Sequence, residues 1–324
     1  MGYGMRRAIR ALWTEVIGFR THYPLEVSPE AGRKGARHYY VYSDRLFLND
    51  LEMDRQGIPR KRYRLLGLQY NPLFVAWWGL VNLHRCVRHA DQRGMDRFLL
   101  QVEWLREAAR ERDDGGAVWP CYFDWHEGAC HLRAPWISAM FQAVVISTLV
   151  RGYRVTGDER LLSLARRGTR VFEKSVEDGG VRTLENGGVL YEEYPGYPLP
   201  RVLDGFLFSL LGLYDLYVET GDSGVGRLFS DGIEGLRRCL SFWDYRGKWS
   251  WYGRRVYLCP PHYHALNTQL LSVLGCLTED PVLSEQASRW APRNLSWADR
   301  IEIYTLFVTT KNWTRLRLPN EKGG

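Results

Sequence analysis

The sequence predicts a mainly α protein: an incomplete α/α toroid of about four helical hairpins with short β-hairpins inserted between them. Three observations predict it. Segments that are apolar nearly all round alternate with amphipathic ones, a hexapeptide recurs where the two kinds meet, and turn dipeptides sit inside aromatic-rich runs that follow the amphipathic segments. The apolar segments are residues 73–83, 136–150, 202–216 and 266–277. The amphipathic ones, 95–112, 159–174 and 226–240, carry Arg and Glu on one face. A helix apolar all round is buried and an amphipathic one has a wet side, so the alternation reads as an inner ring wrapped by an outer ring. An ordinary helical bundle fits the same pattern. Ala139, Ala143 and Ser147, four apart, let inner helices approach closely.

The repeated hexapeptides are Tyr153-Arg154-Val155-Thr156-Gly157-Asp158 and Tyr217-Val218-Glu219-Thr220-Gly221-Asp222. Each is read as the turn of a helical hairpin, Gly157 or Gly221 ending one helix and Asp158 or Asp222 capping the next. Thr278-Glu279-Asp280 is a degenerate third copy. Two β-hairpins are expected, residues 181–194 around Asn186-Gly187 and 242–252 around Arg246-Gly247 with alternating Trp249 and Trp251. Both follow an outer helix, so their tips should surround one opening, where a site is expected. Residues 1–65 form a less regular segment packed on the main domain, with a β-hairpin expected at 38–49, and residues 66–324 form the toroid. The basic run Arg60-Lys61-Arg62-Tyr63-Arg64 reads as a border of the fold rather than a nuclear signal.

A chain of 324 residues has ample length for a buried core. Its net charge of +7, mostly from Arg, suits nucleic acid, an acidic membrane surface or an acidic polysaccharide, and decides between none of them. Trp77, Trp78 and Trp104 lie in helical stretches and read as core; the remaining aromatics suit a sugar-binding cleft. None of the six cysteines forms a CxxC pair, so they read as buried free thiols, with a Cys121–Cys130 disulfide left open. Residues 1–20 lack the apolar stretch and cleavage site of a secretory signal, and the uncharged run 134–150 is too short and polar for a membrane span. A cytoplasmic protein is the default expectation.

The segment Tyr191-Glu192-Glu193-Tyr194-Pro195-Gly196-Tyr197-Pro198 crowds two carboxylates and three phenols together before Val202-Leu203-Asp204-Gly205-Phe206 and Gly212-Leu213-Tyr214-Asp215-Leu216. It closely resembles the central signature of the glucuronyl C5-epimerase family, which reads Tyr-Glu-Glu-Tyr-Pro, Val-Leu-Asn-Gly-Phe and Leu-Ile-Gly-Leu-Tyr-Asp-Leu. Upstream, Trp136-Ile137-Ser138-Ala139-Met140 and Ile146-Ser147-Thr148-Leu149-Val150-Arg151 resemble the family's Trp-Tyr-Ser-Ala-Met and Ile-Ser-Thr-Leu-Val-Arg. Downstream, Trp251-Tyr252-Gly253-Arg254-Arg255 and His262-Tyr263-His264 stand where the family has Tyr-Asp-Leu-Arg and Trp-Asp-Tyr-His. The resemblance covers about residues 70–274.

It implies conversion of D-glucuronate to L-iduronate within a glycan by removing the C5 proton and returning one from the opposite face. That chemistry needs two acid/base groups and strong donors to the uronate carboxylate. By resemblance Glu193, Tyr194, Tyr252 and Tyr263 are the catalytic candidates, and Arg255, Arg254, His264, Trp136 and Asp204 the substrate-binding ones. Arg255, at the family's Tyr-x-x-Arg spacing from Tyr252, is expected to grip the carboxylate with two donors. A phenol titrates near about 10, so a tyrosine base needs positive charge such as Arg254 or Arg255 beside it. The reaction demands no cofactor and no metal. An acidic polysaccharide is the expected partner, nucleic acid is not, and a homodimer stays open.

Taken singly these residues have blander readings. Tyr197, Tyr214 and Tyr257 read as packing, His262 and His264 as structural histidines rather than metal ligands, and only the joint occurrence in family order favours a site. The sequence also departs from the pattern. Asp204 replaces Asn, Pro260-Pro261-His262 replaces Arg-Trp-Asp, and Asn267 replaces a second His. These changes weaken the case for a heparosan-like substrate more than for C5 chemistry. The rivals are a polysaccharide lyase, which begins with the same proton abstraction, a catalytically silent glycan-binding module, and a glycoside hydrolase using Glu192 or Asp204.

Overall fold

The computed structural model describes residues 25–43, 48, 50–254 and 257–317. The described chain is mainly helical with short β-hairpins, as expected. Its helices are α1 (Pro72–His89), α2 (Gln92–Ala108), α3 (Ala139–Thr156), α4 (Glu159–Gly168), the single turn α5 (Arg170–Glu173), α6 (Leu203–Thr220), α7 (Ser223–Trp243), α8 (Pro261–Leu277), α9 (Pro281–Trp290) and α10 (Trp297–Arg317). The all-apolar helices α1, α3, α6 and α8 pack side by side in chain order, and α2, α4, α7 and α9 each lie against their own partner. The close approach anticipated at Ala143 is present. A Cβ on Gly212 of α6 would stand 2.7 Å from the Cα of Ala143, so only glycine lets these two backbones meet.

Two helix boundaries differ from expectation. The helix expected over 95–112 stops at Ala108 and the chain turns into β6 (Arg110–Glu111), paired with β7 (Ala117–Val118). The one expected over 159–174 breaks at Thr169, whose hydroxyl donates to the carbonyl of Arg166 at 2.8 Å and competes with helix continuation.

All four helical hairpins share one turn. Gly157 (φ 75°) and Gly221 (φ 66°) take the left-handed conformation, as do Ala90 (φ 53°) and Glu279 (φ 51°) at the equivalent places. The next residue is always aspartate: Asp91, Asp158, Asp222 and Asp280 each accept a backbone N–H from the helix they begin. The Ala90-Asp91 turn carries no Thr-Gly signature, so the sequence did not reveal it. An L side chain in this region is strained where glycine is not. Ala90→Gly and Glu279→Gly are therefore expected to raise stability by about 0.5–1 kcal/mol each, measured as denaturant midpoints; a lowered midpoint in both would contradict the shared-turn account.

Both expected β-hairpins form: β10 (Arg182–Glu185) with β11 (Gly188–Tyr191), and β12 (Asp244–Tyr245) with β13 (Trp249–Ser250). Their tips lie against later helices instead. Gly187 lies by Arg238 of α7, Gly247 by Arg289 of α9, and Arg246 pairs with Glu302 of α10 at 2.7 Å. What converges is the chain leaving each hairpin. A third hairpin, β8 (Trp125–Glu127) with β9 (Cys130–Leu132), turns at Gly128-Ala129.

Ahead of the helices, β3 (Leu51–Met53), β4 (Pro59–Tyr63) and β5 (Gly67–Gln69) form a meander that absorbs the basic run. The hairpin expected within 38–49 is replaced, over its described part, by pairing of β2 (Val41–Tyr42) with β1 (Glu26–Val27); residues 44–47 and 49 lie outside the described residues. A buried network anchors this early segment. Asp215 of α6 accepts from Arg151 (2.6 Å) and Ser147 (2.6 Å) of α3 and from Tyr40 (2.8 Å), while Arg151 also donates to the carbonyl of His38 at 2.9 Å. Arg151 and Asp215 are both fully buried. All six cysteines are free; Cys121, Cys130, Cys239 and Cys259 are buried, but Cys276 is exposed and Cys86 half-buried. No helix among the described residues is long and apolar enough to cross a membrane.

Candidate active site

The candidate residues gather at the N-terminal ends of α3, α6 and α8. Ser138 starts α3 by accepting the Phe141 N–H at 3.3 Å, and Pro261 starts α8, where a missing N–H costs nothing. The carbonyl of Glu192 accepts the Ala139 N–H, which fixes the strand exit carrying Glu193 against α3. The carbonyl of Tyr252 accepts the Leu203 N–H at 3.4 Å and ties the second exit to α6.

Glu193 is buried and lies flat on the first turn of α6. A Cβ at Gly205 would stand 2.5 Å from Glu193 Cβ, so glycine is what admits it. The Tyr194 phenol hydrogen-bonds the Glu193 carboxylate. Tyr252 and Tyr263 meet at 5.7 Å between ring centroids, and Tyr252 stacks on Tyr257 at 5.1 Å. The structure thus brings together Glu193, Tyr194, Tyr252 and Tyr263 with Asp204, which the first turn of α6 carries.

Burial, then the charges of Glu193 and Glu127, hold the Tyr194 phenol well above its ordinary titration range. Burial first, with nearby carboxylates added, does the same to Tyr252, Tyr257 and Tyr263. These phenols remain protonated and can donate. Asp204 is pushed up to about 7, chiefly by burial; the N–H groups of the first turn pull the other way and do not offset it.

Glu127 escaped the sequence reading. It is buried on β8, and its charge is felt at Tyr194, Tyr252, Tyr257, Tyr263 and Asp204. The available signal was the alternation of Trp125, Glu127, Cys130 and Leu132 around a Gly-x turn, the pattern of a two-residue hairpin.

Other expected residues are placed differently. His264 is fully buried: its Nδ1 accepts the Ser250 N–H at 3.1 Å, its Nε2 donates to the Trp290 carbonyl at 3.0 Å, and its ring stacks on Trp249. Burial pushes its pKa down to about 3, so it is neutral and its polar atoms are committed within the fold. Burial likewise takes His262 down to about 4. Trp136 is buried behind Tyr194 with ring centroids 6.1 Å apart, and its Nε1 donates to the Phe123 carbonyl at 2.7 Å, so it braces the phenol. Glu192 is committed to Arg201 and Thr183. Arg254 is exposed, with its N–H on the Pro200 carbonyl at 2.9 Å, and Arg255 lies outside the described residues. No cluster of three or more His, Cys, Asp or Glu suited to a metal ion occurs among the described residues.

A row of helical hairpins with a buried carboxylate–phenol cluster at three helix N-termini defines the class. Residues 112–292 match the family model described as D-glucuronyl C5-epimerase C-terminus, over more than half of the chain, and the chain belongs to that family. It is similar to the D-glucuronyl C5-epimerase of Caenorhabditis elegans, with 33% identity over 212 residues, covering 60% of this chain and 34% of the relative. The chain therefore spans about a third of the length of that curated relative.

The packing at Gly205 gives a direct test. Gly205→Ala removes no functional group but drives Glu193 off the α6 turn, and a displacement of about 1 Å can cost about 10²-fold in rate. Turnover should fall by that order with the circular dichroism spectrum unchanged. Undiminished turnover would separate Glu193 from the chemistry.

Proposed function

We propose that this chain is a C5-epimerase that inverts D-glucuronate to L-iduronate within a uronate-bearing, heparosan-like polysaccharide. The observation that carries the reading is Glu193 in hydrogen-bond contact with Tyr194, beside Tyr252 and Tyr263, in a chain of this family. We read the row of hairpins as an arc of an α/α toroid with the site at its inner-helix N-termini.

Glu193 takes the C5 proton. The electron pair moves toward the uronate carboxylate, where Arg255 and the positive end of the α6 dipole oppose the growing charge. A protonated phenol, Tyr263 or Tyr194, returns a proton to the opposite face, and Tyr252 orients the pair. The raised phenol pKa values favour tyrosine as donor and carboxylate as base. Two acid/base groups on opposite sides of the reacting carbon are what inversion requires.

The test is incubation with glucuronate-containing oligosaccharides of the heparosan repeat in deuterated water. Deuterium at C5 in intact chains is the expected result. Absorbance of an unsaturated uronate would replace the reading with a lyase, and neither product would leave a glycan-binding module. Tyr194→Phe and Tyr263→Phe should each lower deuterium incorporation by about 10²–10⁴-fold; a near-normal rate in either removes that phenol from the mechanism.

A further inference from the structure

Asp204 occupies the second position of α6, directly before the glycine on which Glu193 rests. It is buried, makes no ion pair among the described residues, and its Oδ1 meets no hydrogen-bond partner there. It also lies among the site's side chains: Glu127 acts on it from β8, and its own charge is felt at Tyr257, Cys259 and Tyr263. The family segment resembled here reads Val-Leu-Asn-Gly-Phe, so this chain places a titratable group where an amide would carry no proton to lose.

We propose that Asp204 works as a neutral carboxylic acid whose O–H hydrogen-bonds the carboxylate of the bound uronate and holds the charge that develops there. The inference rests on the epimerase reading. When the C5–H bond breaks, the proton goes to Glu193 and the electron pair enters the C5–C6 bond, raising the charge on the carboxylate oxygens. Asp204 keeps its proton throughout and shares it in a hydrogen bond that strengthens as that charge grows. C5 then takes a proton from a phenol on the far face, and the phenolate recovers one from Glu193 through solvent.

A buried acid kept neutral so that it can donate is a recognised way to stabilise an enolate. The groups that act on Asp204, or feel its charge, are a carboxylate, two phenols and a thiol, Glu127 on β8, Tyr257 and Cys259 after β13 and Tyr263 on α8, and a negative substrate adds to that field. Burial and the Glu127 charge together keep it protonated up to about pH 7.

The experiment compares the chain with Asp204→Asn by two readouts. The first needs no substrate. With its pKa raised from 3.8 to about 7 in the fold, Asp204 contributes stability that is lost as pH rises through that window. The Tm advantage of Asp204→Asn should therefore widen from acid pH to neutrality and then level off. The second is the pH profile of C5 deuterium exchange on the same oligosaccharides. The parent should lose activity on the alkaline side, about tenfold per pH unit once Asp204 ionises, and Asp204→Asn should lose that limb. Glu127→Gln, as a second variant, should move the parent's limb to lower pH.

A flat Tm difference overturns the neutral acid, as would be seen if a cation held Asp204 ionised. A widening Tm difference with an unchanged alkaline limb in Asp204→Asn overturns its part in turnover. Absence of C5 exchange in the parent on every sugar tried overturns the epimerase reading and the role in turnover with it; the Tm comparison still reports the proton.

Discussion

Glu193→Gln is expected to lower C5 deuterium exchange by about 10²–10⁴-fold, the usual contribution of a general base, while leaving the fold unchanged. The amide fills the same space over Gly205 and keeps an oxygen for the Tyr194 hydroxyl, so packing is preserved and only proton affinity is lost. Three phenols, Tyr194, Tyr252 and Tyr263, feel the charge of this carboxylate, and all are held protonated by burial and by neighbouring carboxylates, which leaves none of them suited to take its place as base. The measurement is deuterium at C5 per unit of folded protein, with the circular dichroism spectrum as the control. A rate within a few-fold of the parent would move the base elsewhere, and Glu127 would be the next residue to test.

The largest expected effect on stability lies away from the site. Asp215→Asn leaves the Arg151 guanidinium fully buried with its carboxylate partner gone, and breaking one side of such a pair costs about 3–5 kcal/mol. The Ser147 and Tyr40 hydroxyls also lose a charged acceptor. Arg151→Met paired with Asp215→Leu should recover most of the loss, because two apolar side chains leave no charge unmatched. Denaturant unfolding of the parent and the two variants measures this. A cost below about 1 kcal/mol for Asp215→Asn would mean that the pair is not the anchor it looks to be.

Both residues of that pair stand in motif segments quoted for the family resemblance, yet they hold α3, α6 and the early residues Ala31 to Tyr40 together rather than contact a substrate. A motif is a string, and a string does not tell whether a residue faces a sugar or another helix. The same applies to His264, one residue from Tyr263. One helical turn places the phenol in the cluster and the imidazole between Trp249 and Trp290, where both nitrogens find partners.

Local chemistry was legible wherever it is enough to specify the structure. Apolar segments gave buried helices, Thr-Gly-Asp gave capped turns, Asn186-Gly187 and Arg246-Gly247 gave hairpins, and the Tyr-Glu-Glu-Tyr segment supplies Glu193 and Tyr194 of the candidate site. Each of these depends on residues within a few positions of one another, through dihedral preference, capping or periodicity. Three things were decided only in the tertiary structure. Hairpin tips turned toward the outer helices, Glu127 came to the phenols from a strand more than sixty residues before Glu193, and Asp204 became a buried acid with a pKa near 7. Burial and charge at a point depend on everything packed around it, and those neighbours come from segments far apart in the chain.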